Sequence, residues 1–134
     1  MHRCSFRIYY EDTDAGGIVY HANYLRFAER ARTEAMRDAG APHAELLADH
    51  GLLFVVRRAE MDYVRPARLD DLLSVTTTAL SIRGASVILR QDFAVGQAAL
   101  GSLKILLACV GLADGRPARI PDRFRAVLTA GGPA

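Results

Sequence analysis

The chain has 134 residues, of which 51% are hydrophobic, and a formal net charge of +2. That length supports one domain with a real core rather than two, and that composition excludes a disordered chain. So small a charge gives no footprint for nucleic acid, and no apolar run approaches the roughly 20 residues that span a bilayer.

Met1-His2-Arg3-Cys4-Ser5 is not followed by a long apolar segment, so it does not read as a secretory signal. Reduced, buried Cys4 and Cys109 and a cytoplasmic location are the matching expectations. Cys4, Phe6, Ile8 and Tyr10 then alternate with Arg3, Ser5, Arg7 and Tyr9, which predicts a strand with one buried face. From about His21 to Ala39 the period lengthens. Tyr24, Phe27, Ala28, Ala31, Ala35 and Ala39 share one side of a helix, with Arg26, Arg30, Thr33 and Arg37 opposite. Gly40 and Pro42 stop it.

A second helix is expected over Pro42–His50, ending at Gly51, and a strand over Leu52–Arg65 that Pro66 closes. In its second half Ala59, Met61 and Tyr63 face one way and Arg58, Glu60 and Asp62 the other. Asp70-Asp71 turns into a strand over Leu72–Ile82, and Arg83-Gly84 breaks it. The next strand places Val87, Leu89, Phe93 and Val95 inward, and ends near Gly96-Gln97. Leu100–Leu112 is apolar on both faces, so both must be covered. A turn at Asp114–Pro117 leads to a short helix over about Ile120–Thr129, and the Gly131–Ala134 tail is expected to fray. Short turns between consecutive strands imply an antiparallel meander, and one inserted amphipathic helix is what the sheet curls around. That is a single α+β domain over residues 1–134.

Chemistry concentrates between Tyr9 and Asn23. Three carboxylates fall within four residues (Glu11, Asp12, Asp14), Gly16-Gly17 follows, and a helix begins. A helix start supplies unpaired N–H groups for a developing oxyanion, a carboxylate attacks or activates water, and the glycines clear space for a thioester. The bland alternative is an acidic turn with Asp14 as a turn residue. No spacing among His2, His43, His50 and the cysteines suits a metal, and no Gly-x-Ser-x-Gly elbow is present.

Tyr10–Asn23, the helix behind it and Met61-Asp62-Tyr63-Val64-Arg65-Pro66-Ala67 together resemble the hot-dog-fold thioesterases of the 4-hydroxybenzoyl-CoA thioesterase type. The YbgC-type, Tol–Pal-associated acyl-CoA thioesterases are the best match. Asp12-Thr13-Asp14-Ala15-Gly16-Gly17-Ile18-Val19-Tyr20-His21 carries most of the likeness. The resemblance implies a five-stranded antiparallel sheet around one long helix, and a homodimer or homotetramer with sites at the subunit interface. It implies hydrolysis of acyl-CoA to free acid and CoA, with no cofactor and no metal. CoA enters only as part of the substrate.

By position, Asp14 matches the family's catalytic carboxylate, and the backbone N–H of His21 the group that polarises the thioester carbonyl. Asp14 as nucleophile and Asp14 as general base both fit. The His21 ring is a further candidate to position water or substrate. Tyr10, Gly16, Gly17 and Tyr20 are expected at the substrate, although core packing fits Tyr10 equally well. Glu29 is the rival acid, because another hot-dog branch carries its carboxylate on the central helix. It lies off the apolar stripe, so an ion pair with Arg26 or Arg32 is expected instead. Arg116 and Arg119 are the candidates for the CoA phosphates, through the planar fork of arginine. A non-catalytic module that binds an acyl carrier protein or a partner is the alternative reading, and such a module needs neither Asp14 nor the glycine pair.

Overall fold

A computed structural model of the chain describes residues 1–129; the expected fraying of Gly131–Ala134 lies outside the described residues. The elements are β1 (His2–Arg7), a 3-10 turn (Tyr10–Asp12), α1 (Asn23–Asp38), α2 (His43–His50), β2 (Leu52–Tyr63), β3 (Leu72–Ile82), β4 (Ser86–Val95), β5 (Ala98–Gly111) and α3 (Asp122–Thr129). All five strands form one antiparallel sheet in the order β1-β3-β4-β5-β2. The α1 helix packs on its concave side against β1 and β3, and α2 against β2. This is the α+β hot-dog architecture that the resemblance implies.

The apolar stripe of α1 does what its spacing predicts. Tyr24, Phe27, Ala28, Ala31 and Ala35 are buried, and the alanines let the helix lie close to the sheet. They meet Leu73 and Val75 of β3, Val87, Leu89 and Phe93 of β4, and Leu103 and Ile105 of β5 in one core. Gly51 ends α2 in the left-handed conformation, with φ of 63° and its N–H on the Leu47 carbonyl. Helix α3 closes the end of the core with buried Phe124 and Leu128.

Three expectations about the chain path are corrected. The first strand stops at Arg7, and Tyr10 is 82% exposed instead of facing the core. The cause is local: the Asp12 carboxylate accepts the Tyr9 N–H at 2.8 Å and draws the chain into a 3-10 turn. The meander holds for β3, β4 and β5, but β2 and β3 are not neighbours. The segment between them is pulled across the sheet end, where the Val19 N–H donates to Ala67 O at 2.9 Å and Ile18 bridges Arg68. Strand β2 is therefore an edge, and Arg58–Glu60 and Asp62–Tyr63 are exposed on both faces. The third concerns β5, which runs Ala98–Gly111 instead of Leu100–Leu112 and is central, with β4 on one edge and β2 on the other. Its last residues are paired from one side by the returning chain, through the Val110–Pro117 bridge and Ala118 N–H on Cys109 O.

Candidate active site

The segment from Tyr9 to Asn23 leaves β1, makes a tight turn, and enters α1. Backbone hydrogen bonds fix nearly every step. Asp14 N–H donates to Ile18 O at 2.9 Å, Gly17 N–H to Asp14 O at 3.1 Å, and Tyr20 N–H to Asp12 O at 3.1 Å. Gly17 carries a φ of 78°, which a side chain resists. Asn23, the first residue of α1, donates its Nδ2 to Asp12 O at 2.9 Å and ties the turn to the helix.

Asp14 projects from this turn into solvent. Its Oδ1 accepts the Gly16 N–H at 2.8 Å, which fixes the carboxylate plane. A methyl group on Gly16 would sit 3.2 Å from that same oxygen, so the glycine keeps the approach open. No described residue donates to Oδ2. One oxygen holds the group, and the other is available for chemistry.

His21 stands two residues ahead of α1, whose N-cap is Ala22. The helix thus begins later than the periodicity indicates, and the His21 N–H precedes its first turn. Among the described residues that N–H has no acceptor. The His21 carbonyl is engaged instead, accepting from the Tyr63 hydroxyl at 2.8 Å. Its ring lies 4.6 Å from Tyr20 and 6.3 Å from Tyr63, centroid to centroid. Tyr63 in turn meets Tyr24 edge-on at 5.5 Å, and the Tyr24 hydroxyl accepts Ala67 N–H at 2.9 Å. Burial raises both phenols above their ordinary value, so Tyr24 and Tyr63 remain hydroxyls at neutral pH. Ile18, Val19, His21, Tyr24, Tyr63 and Val64 line an open cleft of about 310 Å³.

The structure thus brings Asp14, Gly16, Gly17, Tyr20 and His21 onto one hydrogen-bonded loop, with exposed Tyr10 at its entry. It does not bring Arg116 and Arg119 there. Both are exposed on the chain that leaves β5, where Gly111 N–H donates to Arg116 O and Leu112 N–H to Gly51 O. Tyr63, which touches His21, occupies the other end of the 12-residue β2, on the order of 35 Å away at about 3.3 Å per residue.

Two features were missed. Tyr63 is the hinge between loop and sheet, and its only sequence signal is its place within the Met61–Ala67 string. Arg32 is buried, not paired with Glu29 at the surface; no Glu29–Arg32 ion pair forms among the described residues. The signal existed, because Ala28, Arg32 and Met36 follow at i, i+4 along the buried face, and Gln91 falls between inward Leu89 and Phe93.

A five-stranded antiparallel sheet packed on one long helix is the hot-dog architecture of a class of thioesterases, and here a carboxylate turn stands at the helix entrance. Comparison with known sequences and structures narrows this. A model of the thioesterase-like superfamily matches residues 9–128. The acyl-CoA thioesterase YbgC of Haemophilus influenzae is 42% identical over 91% of this chain and 90% of its own length. The YbgC acyl-CoA thioesterase of Helicobacter pylori strain J99 is 34% identical over 96% and 98%. Among solved structures, a probable thioesterase from Bartonella henselae superposes with a TM-score of 0.84 at 38% identity, over 90% of this chain and 98% of its own. The chain belongs to the thioesterase-like superfamily and, within it, to the YbgC-type acyl-CoA thioesterases. It is a thioester hydrolase. No helix among the described residues is long and apolar enough to cross a membrane.

Proposed function

We propose that the chain hydrolyses acyl-CoA through Asp14, with the His21 N–H as the oxyanion donor. The carrying observation is the loop itself. Among the described residues, a carboxylate held by one oxygen and free at the other shares a hydrogen-bonded turn with a backbone N–H that has no acceptor. Such a donor costs nothing to reorganise when a thioester carbonyl gains charge. In one form of the reaction Asp14 attacks that carbonyl, the C–S bond breaks, CoA leaves as thiolate, and water then opens the mixed anhydride. In the other, Asp14 takes a proton from the water that attacks directly. Both end in free acid and CoA. A single turnover in ¹⁸O water identifies the anhydride route in which water attacks the Asp14 carboxyl carbon, because only there does unlabelled Asp14 oxygen enter the product acid while ¹⁸O enters Asp14.

The edge position of β2 supports a homodimer in which two β2 strands pair antiparallel about a two-fold axis. That axis turns the Leu52 end of one protomer onto the Tyr63 end of the other. Arg116 and Arg119 of one chain then approach the Asp14 loop of its partner, where CoA phosphates would lie. Pairing through the outer sheet faces would extend this to a tetramer. An acyl carrier protein is a second source of thioester for the same loop.

The test is Asp14→Asn. Asparagine retains an Oδ1 for the Gly16 N–H, so the turn and the assembly are kept, while the reactive oxygen is lost. Loss of a catalytic base costs about 10²–10⁴-fold. Measured by thiol release on an acyl-CoA panel, kcat should fall at least about a hundredfold with KM nearly unchanged, and Glu29→Gln should lose far less. The reverse pattern would move the acid to α1 and overturn the assignment.

A further inference from the structure

A larger cavity, of about 510 Å³, opens between α1, α2 and the first half of β2. Leu46, Leu53 and Phe54 contribute apolar wall, and Glu29, Arg32 and His43 are its polar members. Arg32 is the anomaly. The residue is only 7% exposed, yet its one side-chain hydrogen bond among the described residues goes to a neutral group, Gln91 Oε1, at 3.0 Å. The amide is held in that orientation, because Gln91 Nε2 donates to Ala28 O at 2.9 Å and to Thr77 Oγ1 at 3.1 Å.

A guanidinium has five N–H donors, so most of this fork is unmatched by the protein. The open nitrogens are not sealed in the core either. Among the described residues, His2 Nδ1 is the one fully buried side-chain nitrogen or oxygen without a partner, so the unmatched Arg32 nitrogens open to the cavity. A buried cation normally has an anion beside it, since an unpaired charge in low dielectric is costly. Glu29 does not supply it: it lies near enough to favour the Arg32 charge, which burial disfavours more, but it is exposed and forms no ion pair with Arg32 among the described residues. His43 does not supply it either, because desolvation and the nearby Arg32 and Arg37 charges favour its neutral ring.

We infer that this cavity receives an acyl group whose far end carries a carboxylate, paired to the Arg32 fork, so that carboxyacyl-CoA thioesters are the preferred substrates. The inference rests on the hydrolase reading above and on the same two-fold, which sets the Leu53–Val56 wall of one protomer against its partner's Asp14 loop. The apolar walls take the methylenes between thioester and carboxylate. A plain alkyl chain would fill the walls but leave Arg32 desolvated and unpaired. A planar bidentate partner is what the guanidinium geometry matches best.

The purified full-length protein is assayed by thiol release on glutaryl-CoA and adipoyl-CoA against pentanoyl-CoA and hexanoyl-CoA. The expected wild-type preference for the carboxyacyl pair is at least about tenfold in kcat/KM, the size of one well-placed charged contact. Arg32→Gln should lower that ratio at least about tenfold, mainly through KM, and Arg32→Lys should fall between the two. A ratio taken within one preparation does not depend on how much of a variant is folded, and the wild-type preference stands as evidence if Arg32→Gln fails to fold. Equal or better hydrolysis of the alkyl thioesters, or a ratio unmoved in Arg32→Gln, overturns the inference and leaves the hydrolase reading intact. No turnover of any thioester overturns both.

Discussion

At the Asp14 end of the sheet the chain is held almost entirely by its own backbone, whereas at the Arg32 end buried side chains do the holding. The Tyr9–Asn23 turn is exposed, yet its path is fixed by N–H to carbonyl bonds and by Asn23 and Tyr63 reaching onto backbone carbonyls. The carboxylate it carries, Asp14, therefore commits one oxygen to structure and keeps the other free of described partners. The Arg32–Gln91–Thr77 group is buried, and its bonds run between side chains except for the one to Ala28 O. A site built on backbone bonds tolerates substitution of its reactive side chain. One built on buried polar side chains does not, because each removed partner strands another.

The largest stability effect expected from this contrast follows Gln91→Leu. It removes the acceptor of a buried guanidinium and both donors that satisfy Ala28 O and Thr77 Oγ1, leaving polar groups unpaired in the core. Stranding one such group costs about 1–3 kcal/mol, and more when it is charged. Urea unfolding should show a loss in or above that range, while Asp14→Asn, a surface change, should stay within about 0.5 kcal/mol of wild type. Comparable losses in the two variants would erase the distinction between the two ends.

Much of this was legible in the sequence, and the failures share a cause. The strands, α1 and α2 announced themselves through period and through Gly40, Gly51 and Pro66, which act locally. The Asp14–Gly17 turn was legible for the same reason, since Asp12, Asp14 and the glycines bond within a few residues of themselves. Sequence reasoning failed where a partner lies far along the chain. Tyr63 reaches His21 across 42 positions, and Arg32 reaches Gln91 across 59. The neighbourhood of β2 and β5 also escaped it, because the Ala67–Arg68 contact with the Asp14 loop, not a hairpin turn, decides where the chain goes after Tyr63. Arg32 was misread as surface because arginine on a helix usually is, although its spacing from Ala28 and Met36 indicated the buried side.

A middle-sized effect joins the two ends. If the two-fold brings Arg116 and Arg119 of one chain to the partner's Asp14 loop, the double Ala variant should raise KM for acyl-CoA several-fold with little change in kcat. That is the pattern of lost uniform binding, and added salt should then matter less. Mixed dimers sharpen the test. One chain carries Asp14→Asn and the other Arg116→Ala with Arg119→Ala. If the arginines act across the interface, one of the two sites contains both defects and the other contains none, so half the activity remains with the wild-type KM. If they act within their own chain, the surviving site lacks its arginines and shows the raised KM. An unaltered KM in the double variant homodimer would return both residues to plain surface.

The smallest expected effect concerns pH and belongs to the Arg32 end alone. His43 contacts Phe54 at 5.8 Å on β2 and faces Arg32, Arg37 and Glu29 of α1. Desolvation by burial, then the charges of Arg32 and Arg37, push its imidazole below the ordinary value of 6.5, and the smaller opposing effect of Glu29 does not reverse this. The folded state thus binds a proton here less readily than the unfolded chain does. Stability from this group is full above the unfolded value and is lost as pH falls from about 6.5 through the lower folded value. Between about pH 7.5 and about pH 5, wild type should therefore lose more Tm than His43→Gln, which has no proton to take up. The difference should shrink in Arg32→Gln, because one of the two cations that disfavour the imidazolium is gone. A His43→Gln curve parallel to wild type across that range would show that the cavity admits enough water to charge the ring at no cost. The guanidinium beside it would then lie in the same wet environment, and Arg32 would not need the anion assigned to it.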